Sequence, residues 1–330
     1  MYFCTLFDSY YIHKGIALYL SLEKVTNDFH LYVMAFDRES YEKLRSIGFK
    51  RMTVELFEDI ETKELLALKT TRTKAEYCWT CGPSVIYHFL TNYNLPNITY
   101  LDADLFFLSD PHIIQEEIGD QSVAISEQGG EERNIERYGR YCVQYVFFKN
   151  DINGIRALTW WRERCIEWCF SRYEDGKYGD QKYLDQFEVL FNNVHIIQNK
   201  GLVGPWDTQF YSFNENTLTC NGEEYPLVFF HMSGNKFELK NSKLCFSIVE
   251  SGVTPDLLRL FYKPYAVLMK AIYTDYFGKD VESIEVRGGN PLYLLYKRMR
   301  GKFSNNRLAI FLYYKVFRRR YDGHEEAKTL

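Results

Sequence analysis

Two aspartates separated by one residue follow a short apolar strand in the segment ITYLDADLFFLSDP, residues 98–111. In an extended chain, residues i and i+2 face the same side, so Asp102 and Asp104 can both reach one site. Carboxylates of this kind hold a divalent cation, which can neutralise a departing diphosphate carrying about two to three negative charges. The segment therefore predicts a metal-assisted phosphate site at a solvent-facing strand end. The alternative is a solvated turn with acidic residues.

Four dispersed motifs, FDSYY, YLDAD, GDQKYLDQF and FFHMSGNKF, resemble segments of a known group of enzymes. These are the nucleotide-sugar transferases of the glycogenin and bacterial lipopolysaccharide galactosyltransferase type. The resemblance covers roughly residues 1–240 and implies a GT-A fold, a UDP-sugar donor and a Mn²⁺ (or Mg²⁺) cofactor. It also implies a hexosyltransferase reaction with retention at the anomeric carbon. Asp102 is then expected at the donor ribose or the metal, and Asp104 on the metal.

The N-terminal motif FDSYY is similar to the family segment that holds the uracil ring of the donor. Asp8 and Tyr11 match that segment, whereas Tyr10 replaces its usual small polar residue. The resemblance therefore implies that Asp8 and Tyr11 bind the base of a uridine nucleotide.

The late motif FFHMSGNKF is similar to the family's closing segment. His231 matches a histidine that is the third metal ligand, and Gly234 matches a glycine that contacts the diphosphate. Lys236 stands one position early for the family's phosphate-binding lysine, and the following Pro-Trp is absent. Neutral imidazole suits a divalent transition ion, and Mn²⁺ accepts mixed nitrogen and oxygen ligands. The alternative for His231 is a core or turn histidine at a strand end.

The motif GDQKYLDQF is similar to the family's Asp-Gln segment on the acceptor side, which makes Asp180 and Gln181 the candidate catalytic residues. Hydrogen bonds to sugar hydroxyls and a partial negative charge there would stabilise an oxocarbenium-like transition state. The alternative is that Asp180 only caps the N-terminus of a helix.

An arginine in KTTRTKAEYCWT corresponds loosely to a family arginine near the donor diphosphate. The guanidinium of Arg72 has the fork geometry that suits a phosphate. Alternatively, Lys69, Arg72 and Lys74 form a solvated helix start. Gln144 stands where the family shows Asn-Ala-Gly, and this departure leaves the acceptor undetermined.

Short apolar strands alternate with helical patterns in the first half of the chain, which predicts an α/β fold with a mixed, mostly parallel sheet flanked by helices. Ligands in such sheets gather beyond the carboxyl ends of the strands, which is where Asp8, Asp37 and the Asp102–Asp104 segment are expected. The predicted strands here are Tyr2–Phe7, His30–Phe36, Met52–Leu56, Ile98–Leu101 and Ser122–Ser126, and the helices are Gly15–Val25, Ser40–Ile47, Ile60–Lys69 and Thr73–Tyr93.

The second half has predicted strands at Val143–Phe148, Val194–Ile197 and Leu227–His231, with helices at Ile155–Arg172 and Lys182–Phe187. Beyond about Lys243 the pattern becomes helical and basic. We therefore predict a catalytic domain at residues 1–245 and a C-terminal helical extension at residues 246–330.

The composition is that of an ordinary globular protein, with 46% hydrophobic and 25% charged residues in a chain of 330. A formal net charge of -4 gives no reason to expect nucleic acid as a partner. No signal peptide is recognised, so the chain is expected in the cytoplasm. The eight cysteines are then expected to be reduced. The pair Cys78 and Cys81 has a redox-like spacing but lies in a helical pattern, which disfavours redox or zinc chemistry.

The segment 287–321 interleaves aromatic residues with basic ones and has no acidic residue before Asp322. Each basic residue near an anionic membrane contributes about 1 kcal/mol, so we expect peripheral attachment to the inner face of a membrane. The alternative is a helical hairpin packed on the catalytic domain.

Together these features predict a metal-dependent glycosyltransferase that moves a sugar from a nucleoside diphosphate sugar to a carbohydrate or lipid-linked acceptor, as in polysaccharide biosynthesis. One alternative is a sugar-phosphate nucleotidyltransferase, although the segment after Phe7 lacks that group's glycine-rich loop. Another alternative is a non-catalytic protein that binds nucleotide sugars.

Overall fold

The computed structural model of the chain describes residues 1–129, 132–249 and 253–287, and strands alternate with helices through its first half. In chain order the strands are β1 Tyr2–Phe7, β2 His30–Ala35, β3 Met52–Leu56, β4 Asn97–Leu101, β5 Leu105–Phe107, β6 Val123–Glu127, β7 Tyr141–Lys149, β8 Val194–Ile197, β9 Leu202–Val203, β10 Ser212–Phe213, β11 Thr217–Cys220, β12 Glu223–Pro226, β13 Phe229–His231, β14 Lys236–Lys240, β15 Lys243–Ser247 and β16 Ser283–Arg287. The α-helices are α1 Ile12–Val25, α2 Arg38–Ile47, α3 Lys63–Leu68, α4 Lys74–Asn92, α5 His112–Ile118, α6 Glu132–Tyr138, α7 Ile152–Glu167, α8 Phe187–Leu190, α9 Pro255–Leu257 and α10 Lys263–Asp275. Tighter 3₁₀ turns occur at Phe57–Asp59, Gln181–Gln186 and Thr208–Phe210, and a π-helical turn occurs at Leu258–Tyr262.

A seven-stranded sheet in the order β3-β2-β1-β4-β7-β6-β8 forms the centre of the described structure. Strands β3, β2, β1 and β4 are parallel to one another, and β6 is parallel to β8. Strand β7 is antiparallel to both of its neighbours, β4 and β6. This mixed, mostly parallel sheet flanked by helices confirms the predicted fold class.

The central strands are apolar on both faces because helices cover both sides of the sheet. In β1, Phe3 and Phe7 pack into the cluster that includes α1, whereas Cys4 and Leu6 pack into the cluster that includes α4 and α7. Helix α1 lies unusually close to β1, since a Cβ atom added to Gly15 would lie 2.2 Å from the Phe7 ring. Glycine at this position therefore allows the close approach that brings the start of α1 to the end of β4.

A smaller sheet, β5-β13-β9, lies beside the carboxyl end of β4. Strand β13 is antiparallel to β5, with His231 opposite Leu105 and Phe229 opposite Phe107, and parallel to β9. This pairing places the end of β13 next to the turn that joins β4 to β5.

The predicted domain boundary between residues 245 and 246 falls within strand β15. Strand β15 crosses it and pairs with both β14 and β16. Residues beyond the boundary, such as Phe261, Tyr265 and Met269, belong to the same apolar cluster as β1 and β13. The described part of the predicted extension is thus part of the main core, because its apolar face has to be buried somewhere. The predicted membrane-binding segment lies, apart from Arg287, outside the described residues.

Local patterns located the central strands to within about two residues, the usual uncertainty of element ends. Departures occur where tertiary contacts intervene: the helix expected at Lys182–Phe187 is a 3₁₀ turn followed by α8, and α7 stops at Glu167 rather than Arg172. Among the described residues, no helix combines the length and the hydropathy needed to cross a bilayer.

Candidate functional site

A cavity of about 960 Å³ opens beyond the carboxyl ends of β1 and β4. Its size lies within the usual range for small-molecule sites. The sequence-predicted residues that line it are Asp8, Tyr11, Asp102, Asp104, Asp180, Gln181, His231 and Gly234. The fold therefore brings together eight positions that are spread over more than 200 residues of sequence.

The two aspartates of YLDAD and the late histidine meet on the floor of this cavity. His231 Nε2 lies 3.0 Å from Asp104 Oδ1 and 3.7 Å from Asp102 Oδ2. Tyr100 donates a hydrogen bond of 3.1 Å to Asp102 Oδ1. Asp104 is only 6% exposed, so the expectation of a solvent-facing position is wrong for this residue. Of the two carboxylates, Asp102 is the more accessible one.

Gln144 fixes the orientation of the His231 ring, a role that the sequence analysis missed. Its side-chain Nε2 donates to the carbonyl of Leu202, at 3.2 Å, so its Oε1 faces His231 Nδ1 at 2.9 Å. The Nδ1 proton is therefore donated to Gln144, which directs Nε2 toward the two aspartates. Support of this kind behind a histidine is typical of metal sites. A buried glutamine on β7, flanked by apolar residues, was the available signal.

Lys14 also reaches this floor, and nothing in the motifs predicted it. Its Nζ lies 3.0 Å from Asp104 Oδ2 and 4.2 Å from the centre of the Tyr11 ring. The lysine is 7% exposed and stands on the buried side of α1, where an unpaired cation would be very costly. Burial disfavours the charged form of Asp104, but the interactions with Lys14 and His231 favour it more strongly. They hold the pKa of Asp104 well below its usual range. Burial also disfavours the charged form of His231, but the interaction with Asp104 favours it more strongly, so the pKa of His231 is raised.

The donor types on the floor fit a divalent cation, since two carboxylates and an imidazole suit Mn²⁺ or Mg²⁺. Their spacing, however, is not that of a metal site. Within residues 1–129, 132–249 and 253–287, no group of three or more His, Cys, Asp or Glu side chains is placed to hold a metal ion. Asp104 binds Lys14 through Oδ2 and His231 through Oδ1. An ion held by Asp102, Asp104 and His231 would take the place of the contact between His231 Nε2 and Asp104 Oδ1, whereas Lys14 is on the other Asp104 oxygen.

A second corner of the cavity lies at the end of β1. Asp8 accepts a hydrogen bond from the Tyr11 backbone amide, at 3.1 Å, and forms an ion pair with Lys74. Lys74 is the first residue of α4, which begins with a capping box between Thr73 and Glu76. This cap fixes the helix start, so that Lys74 projects into the cavity. Lys74, which the alternative interpretation assigned to a solvated helix start, is thus a basic side chain that lines the cavity.

The structure does not bring Arg72 or Lys236 to the cavity wall. Arg72 is 8% exposed and donates to the carbonyls of Cys165 and Ile166, at 3.3 and 2.8 Å, near the last turn of α7. These bonds satisfy terminal carbonyls of α7, which explains why that helix ends earlier than its sequence pattern. Lys236 is exposed at the start of β14. Its neighbour Gly234 does line the cavity, with a φ of +71° that favours glycine.

Asp180 and Gln181 face the cavity from the opposite side. Asp180 precedes the Gln181–Gln186 turn, but its side chain makes no capping hydrogen bond there. Its carbonyl accepts a hydrogen bond from the Trp161 indole, at 2.9 Å. Burial, together with the charge of Asp102, raises the pKa of Asp180 to about 7. The Gln181 amide donates to Gln128 and to the Tyr138 carbonyl.

Aromatic rings form much of the remaining wall, and flat apolar faces of this kind stack on sugars and nucleobases. The Trp206 ring stands edge-on to His231 with centroids 5.4 Å apart, and its Nε1 is buried without a hydrogen-bond partner. The other wall aromatics are Phe7, Tyr10, Tyr11, Trp79, Tyr100, Tyr138, Trp161 and Tyr178. Cys78 also lines the wall, where burial raises the pKa of its thiol to about 12, so it is not a reactive thiolate at neutral pH.

Two relatives come from Bacillus subtilis strain 168, and both are described as uncharacterized proteins. YfnF is 34% identical over 245 residues, which are 70% of this chain and 80% of YfnF. YfnD is 30% identical over 280 residues, which are 82% of this chain and 88% of YfnD. The chain belongs to the family of YfnF and YfnD. A comparison with profiles of known protein families finds no match.

Solved structures show a likeness to the galactosyltransferase LgtC. Its complex with donor and acceptor sugar analogs superposes with a TM-score of 0.51 at 14% identity, covering 82% of this chain and 96% of LgtC. A structure of an active-site variant of LgtC gives a TM-score of 0.50 at 11% identity, covering 81% and 95%. At these identities the likeness shows the fold, and this member of the YfnF and YfnD family has the GT-A fold of LgtC. The resemblance in the motifs is thereby confirmed at the level of the fold.

The Asp180 carboxyl gives a direct test of the site's electrostatics. In the metal-free protein it should titrate near pH 7, and Asp102→Asn should lower its pKa because a neighbouring negative charge is removed. Carboxyl ¹³C NMR of aspartate-labelled protein measures both values. Asp185→Asn, in the same segment, is the control and should leave the Asp180 titration in place. A titration near pH 4 in the wild type would contradict the buried, charge-coupled environment.

Proposed function

We propose that this protein is a glycosyltransferase that uses a nucleoside diphosphate sugar, with UDP as the nucleotide. The observation that supports the proposal is the convergence of three kinds of groups on one cavity. Asp8 and Tyr11 stand at the end of β1, Asp102, Asp104 and His231 lie on the floor, and Asp180 and Gln181 face them. The base, the diphosphate and the sugar follow one another along a nucleoside diphosphate sugar. They would be contacted by the β1 corner, by the floor, and by Asp180 with Gln181, respectively.

The donor would enter with its base at the β1 corner and its diphosphate above the floor. Gly234, which has no side chain, would let the backbone approach the phosphates, and Lys74 is a basic side chain that lines the cavity. Lys74 replaces Arg72 and Lys236 in this role, because those two side chains do not line the cavity. Asp8 holds both Lys74 and the Tyr11 backbone amide, so it orders the corner as well as facing the base.

We propose that Asp102, Asp104 and His231 hold one divalent cation, Mn²⁺ or Mg²⁺. When bound, such an ion neutralises charge on the departing diphosphate. The protein's own contribution is to orient its ligands: Gln144 holds the His231 ring, and Tyr100 holds the Asp102 carboxylate. Transfer would be to a carbohydrate or lipid-linked acceptor, and the aromatic wall with Asp180 and Gln181 would contact the two sugars. Support for a glutamine in the active site comes from LgtC, where an active-site glutamine-to-glutamate variant has been solved.

Two other functions fit parts of the cavity. A sugar-phosphate nucleotidyltransferase would also need a basic, glycine-rich phosphate loop after β1, but α1 begins there with a buried Lys14 instead. A non-catalytic binding protein would bind the donor equally well. Turnover of a nucleotide sugar into UDP and a glycoside distinguishes both of these from a glycosyltransferase.

Asp102→Asn should lower the release of UDP from a UDP-sugar by about 100-fold or more, since several kcal/mol of charge stabilisation are lost with a metal ligand. Asp102 is chosen because Asp104 is buried in an ion pair, and breaking such a pair costs about 3–5 kcal/mol of stability. The matched control is Asp110→Asn, on the same segment but outside the cavity, which should keep its rate. Rates are measured at saturating donor and Mn²⁺, and melting temperatures verify the fold. Full activity of the Asp102→Asn variant would contradict the assignment of Asp102 as a metal ligand.

We also propose retention at the anomeric carbon, which the motif resemblance supports. A proton NMR spectrum of freshly formed product should show the anomeric configuration of the donor sugar. An inverted product would instead assign Asp180 as general base, because a pKa of about 7 suits proton abstraction at neutral pH.

Attachment to an anionic membrane through residues 287–321 remains a proposal, supported by ten Lys or Arg and no acidic residue in 287–320. Full-length protein should bind vesicles containing an anionic lipid at low salt, and not neutral vesicles. Changing Arg318, Arg319 and Arg320 to Gln should weaken binding at least about tenfold, since each contributes roughly 1 kcal/mol. The control changes three exposed lysines of strands β14 and β15, Lys236, Lys240 and Lys243, to Gln. No binding by the wild type at low salt would exclude this attachment.

A further inference from the structure

Asp207 is a buried residue whose carboxylate joins two separate segments of the chain. It is only 3% exposed. Its Oδ2 accepts a hydrogen bond of 2.7 Å from the Gly204 amide, and its Oδ1 accepts one of 2.6 Å from the Gly129 amide. Hydrogen bonds from backbone amides to an ionised carboxylate are short and strong. A carboxylate removed from water is costly without such partners, so the two amides stabilise Asp207 in this position.

One of the two contacts fixes the position of Trp206. Residues 204–207 form a tight turn, in which the Asp207 amide donates to the Gly204 carbonyl at 3.0 Å. Trp206 lies within this turn and lines the cavity, edge-on to His231 with ring centroids 5.4 Å apart. Its indole packs directly on Gly204, because a Cβ atom there would lie 2.3 Å from the ring. The hydrogen bond from Gly204 to the Asp207 side chain therefore helps to hold Trp206 beside the floor.

The other contact fixes the position of Gln128. Gly129 follows this glutamine, whose Oε1 accepts a hydrogen bond of 3.2 Å from the Gln181 side-chain amide, and both glutamines line the cavity. A Cβ atom on Gly129 would lie 2.1 Å from Asp207 Oδ1, so glycine is required for this approach. The Gln128 side chain also donates to the Gly139 carbonyl, at 2.6 Å. Asp207 is thereby connected to Gln181 through Gln128, although Asp207 is not itself one of the residues that line the cavity.

We infer that Asp207 is a positioning residue that holds two sides of the cavity, one formed by Trp206 and the other by Gln128 and Gln181, at a fixed separation around the donor sugar. The inference rests on the proposed function, since it assumes that a sugar lies between Gln181 and the floor. Groups that contact a reacting sugar have to be placed accurately, because a misplacement of about 1 Å can lower a rate about 100-fold. The β1 corner proposed for the base has no part in these contacts. Loss of the Asp207 contacts should therefore reduce turnover while the nucleotide still binds.

The test breaks the contact from either side in the full-length protein, with Asp207→Asn and with Gly129→Ala. Asparagine has one acceptor oxygen in place of two, and the methyl group of alanine would collide with Asp207 Oδ1. In each variant, the rate of UDP release from UDP-galactose or UDP-glucose should fall about 10-fold to 100-fold. The dissociation constant of UDP with Mn²⁺, measured by calorimetry, should stay close to that of the wild type.

Two further measurements separate a shared contact from two unrelated defects. The double variant should release UDP at about the rate of the slower single variant, because the effects of independent changes would multiply. Hydrogen exchange of the ligand-free protein needs no donor. Either change should accelerate exchange both in the peptide that contains Gln128 and in the peptide that contains Trp206.

Asp151→Asn is the matched control. The Asp151 carboxylate also joins two segments, since it accepts hydrogen bonds of 2.8 Å from the Gly154 amide and from the Ser122 hydroxyl. Asp151 is not one of the residues that line the cavity. This variant should lose thermal stability and keep the wild-type rate of UDP release. Melting temperatures establish that every variant is folded at the assay temperature.

Wild-type rates of UDP release in both Asp207→Asn and Gly129→Ala, in a protein that binds and turns over the donor, would overturn the inference alone. A loss of UDP affinity parallel to the loss of rate would also overturn it, because Asp207 would then support the whole cavity. Faster hydrogen exchange confined to the mutated segment would show that Asp207 does not connect the two sides. A wild type that neither binds UDP with Mn²⁺ nor releases it from a UDP-sugar would overturn the proposed function, and the inference with it.

Discussion

The buried contact between Lys14 and Asp104 is the interaction on which the geometry of the cavity depends. An ion removed from water costs several kcal/mol unless a partner with good geometry compensates it. The two residues are 90 positions apart in sequence, and His231, on the other Asp104 oxygen, is 127 positions from Asp104. These charges can be satisfied only when α1, the turn after β4 and the end of β13 meet, so their need for partners helps to select one arrangement of these segments.

Backbone hydrogen bonds of the small sheet β5-β13-β9 also hold Asp104 and His231 in this arrangement. The Met232 amide donates to the Asp104 carbonyl, at 2.8 Å, directly beyond the pair formed by His231 and Leu105. A slip of one residue between β5 and β13 would turn His231 to the opposite face of the sheet. Gln144 adds a second fixed point, since it contacts both the His231 ring and the backbone of β9. These contacts fix the relative positions of Asp104, His231 and Gln144.

The residues that line the cavity carry more negative than positive charge. Its described wall contains four aspartates, Asp8, Asp102, Asp104 and Asp180, and Lys74 as a basic residue, with Lys14 behind Asp104. A diphosphate approaching such a wall is repelled unless positive charge is added or redistributed. Burial eases part of the problem by raising the pKa of Asp180 to about 7, so that this group carries less than a full charge near neutral pH. The remaining negative charge is of the kind that a bound divalent cation would offset.

The sequence by itself determined the sheet and most of the candidate site. Apolar runs marked the central strands, and the carboxyl-end rule of parallel sheets directed attention to Asp8 and Asp102. Short motifs carried this information because a strand end and the side chains just beyond it are set by neighbouring residues. The motif resemblance also suggested Arg72 for the site, although its guanidinium binds carbonyls at the end of α7. The change to a helical, basic pattern suggested a domain boundary that falls inside β15.

Only the tertiary structure decided the partners of the buried charges. No motif assigned a role at the site to Lys14, Gln144 or Lys74, and their roles come from contacts with residues more than 60 positions away. A lysine near the start of an apolar helix can be solvated, or it can be buried as a charged group. The sequence pattern is the same in both cases. The difference lies in whether a carboxylate from a distant strand is present to compensate the loss of water, and that is a property of the packed fold rather than of the local chain.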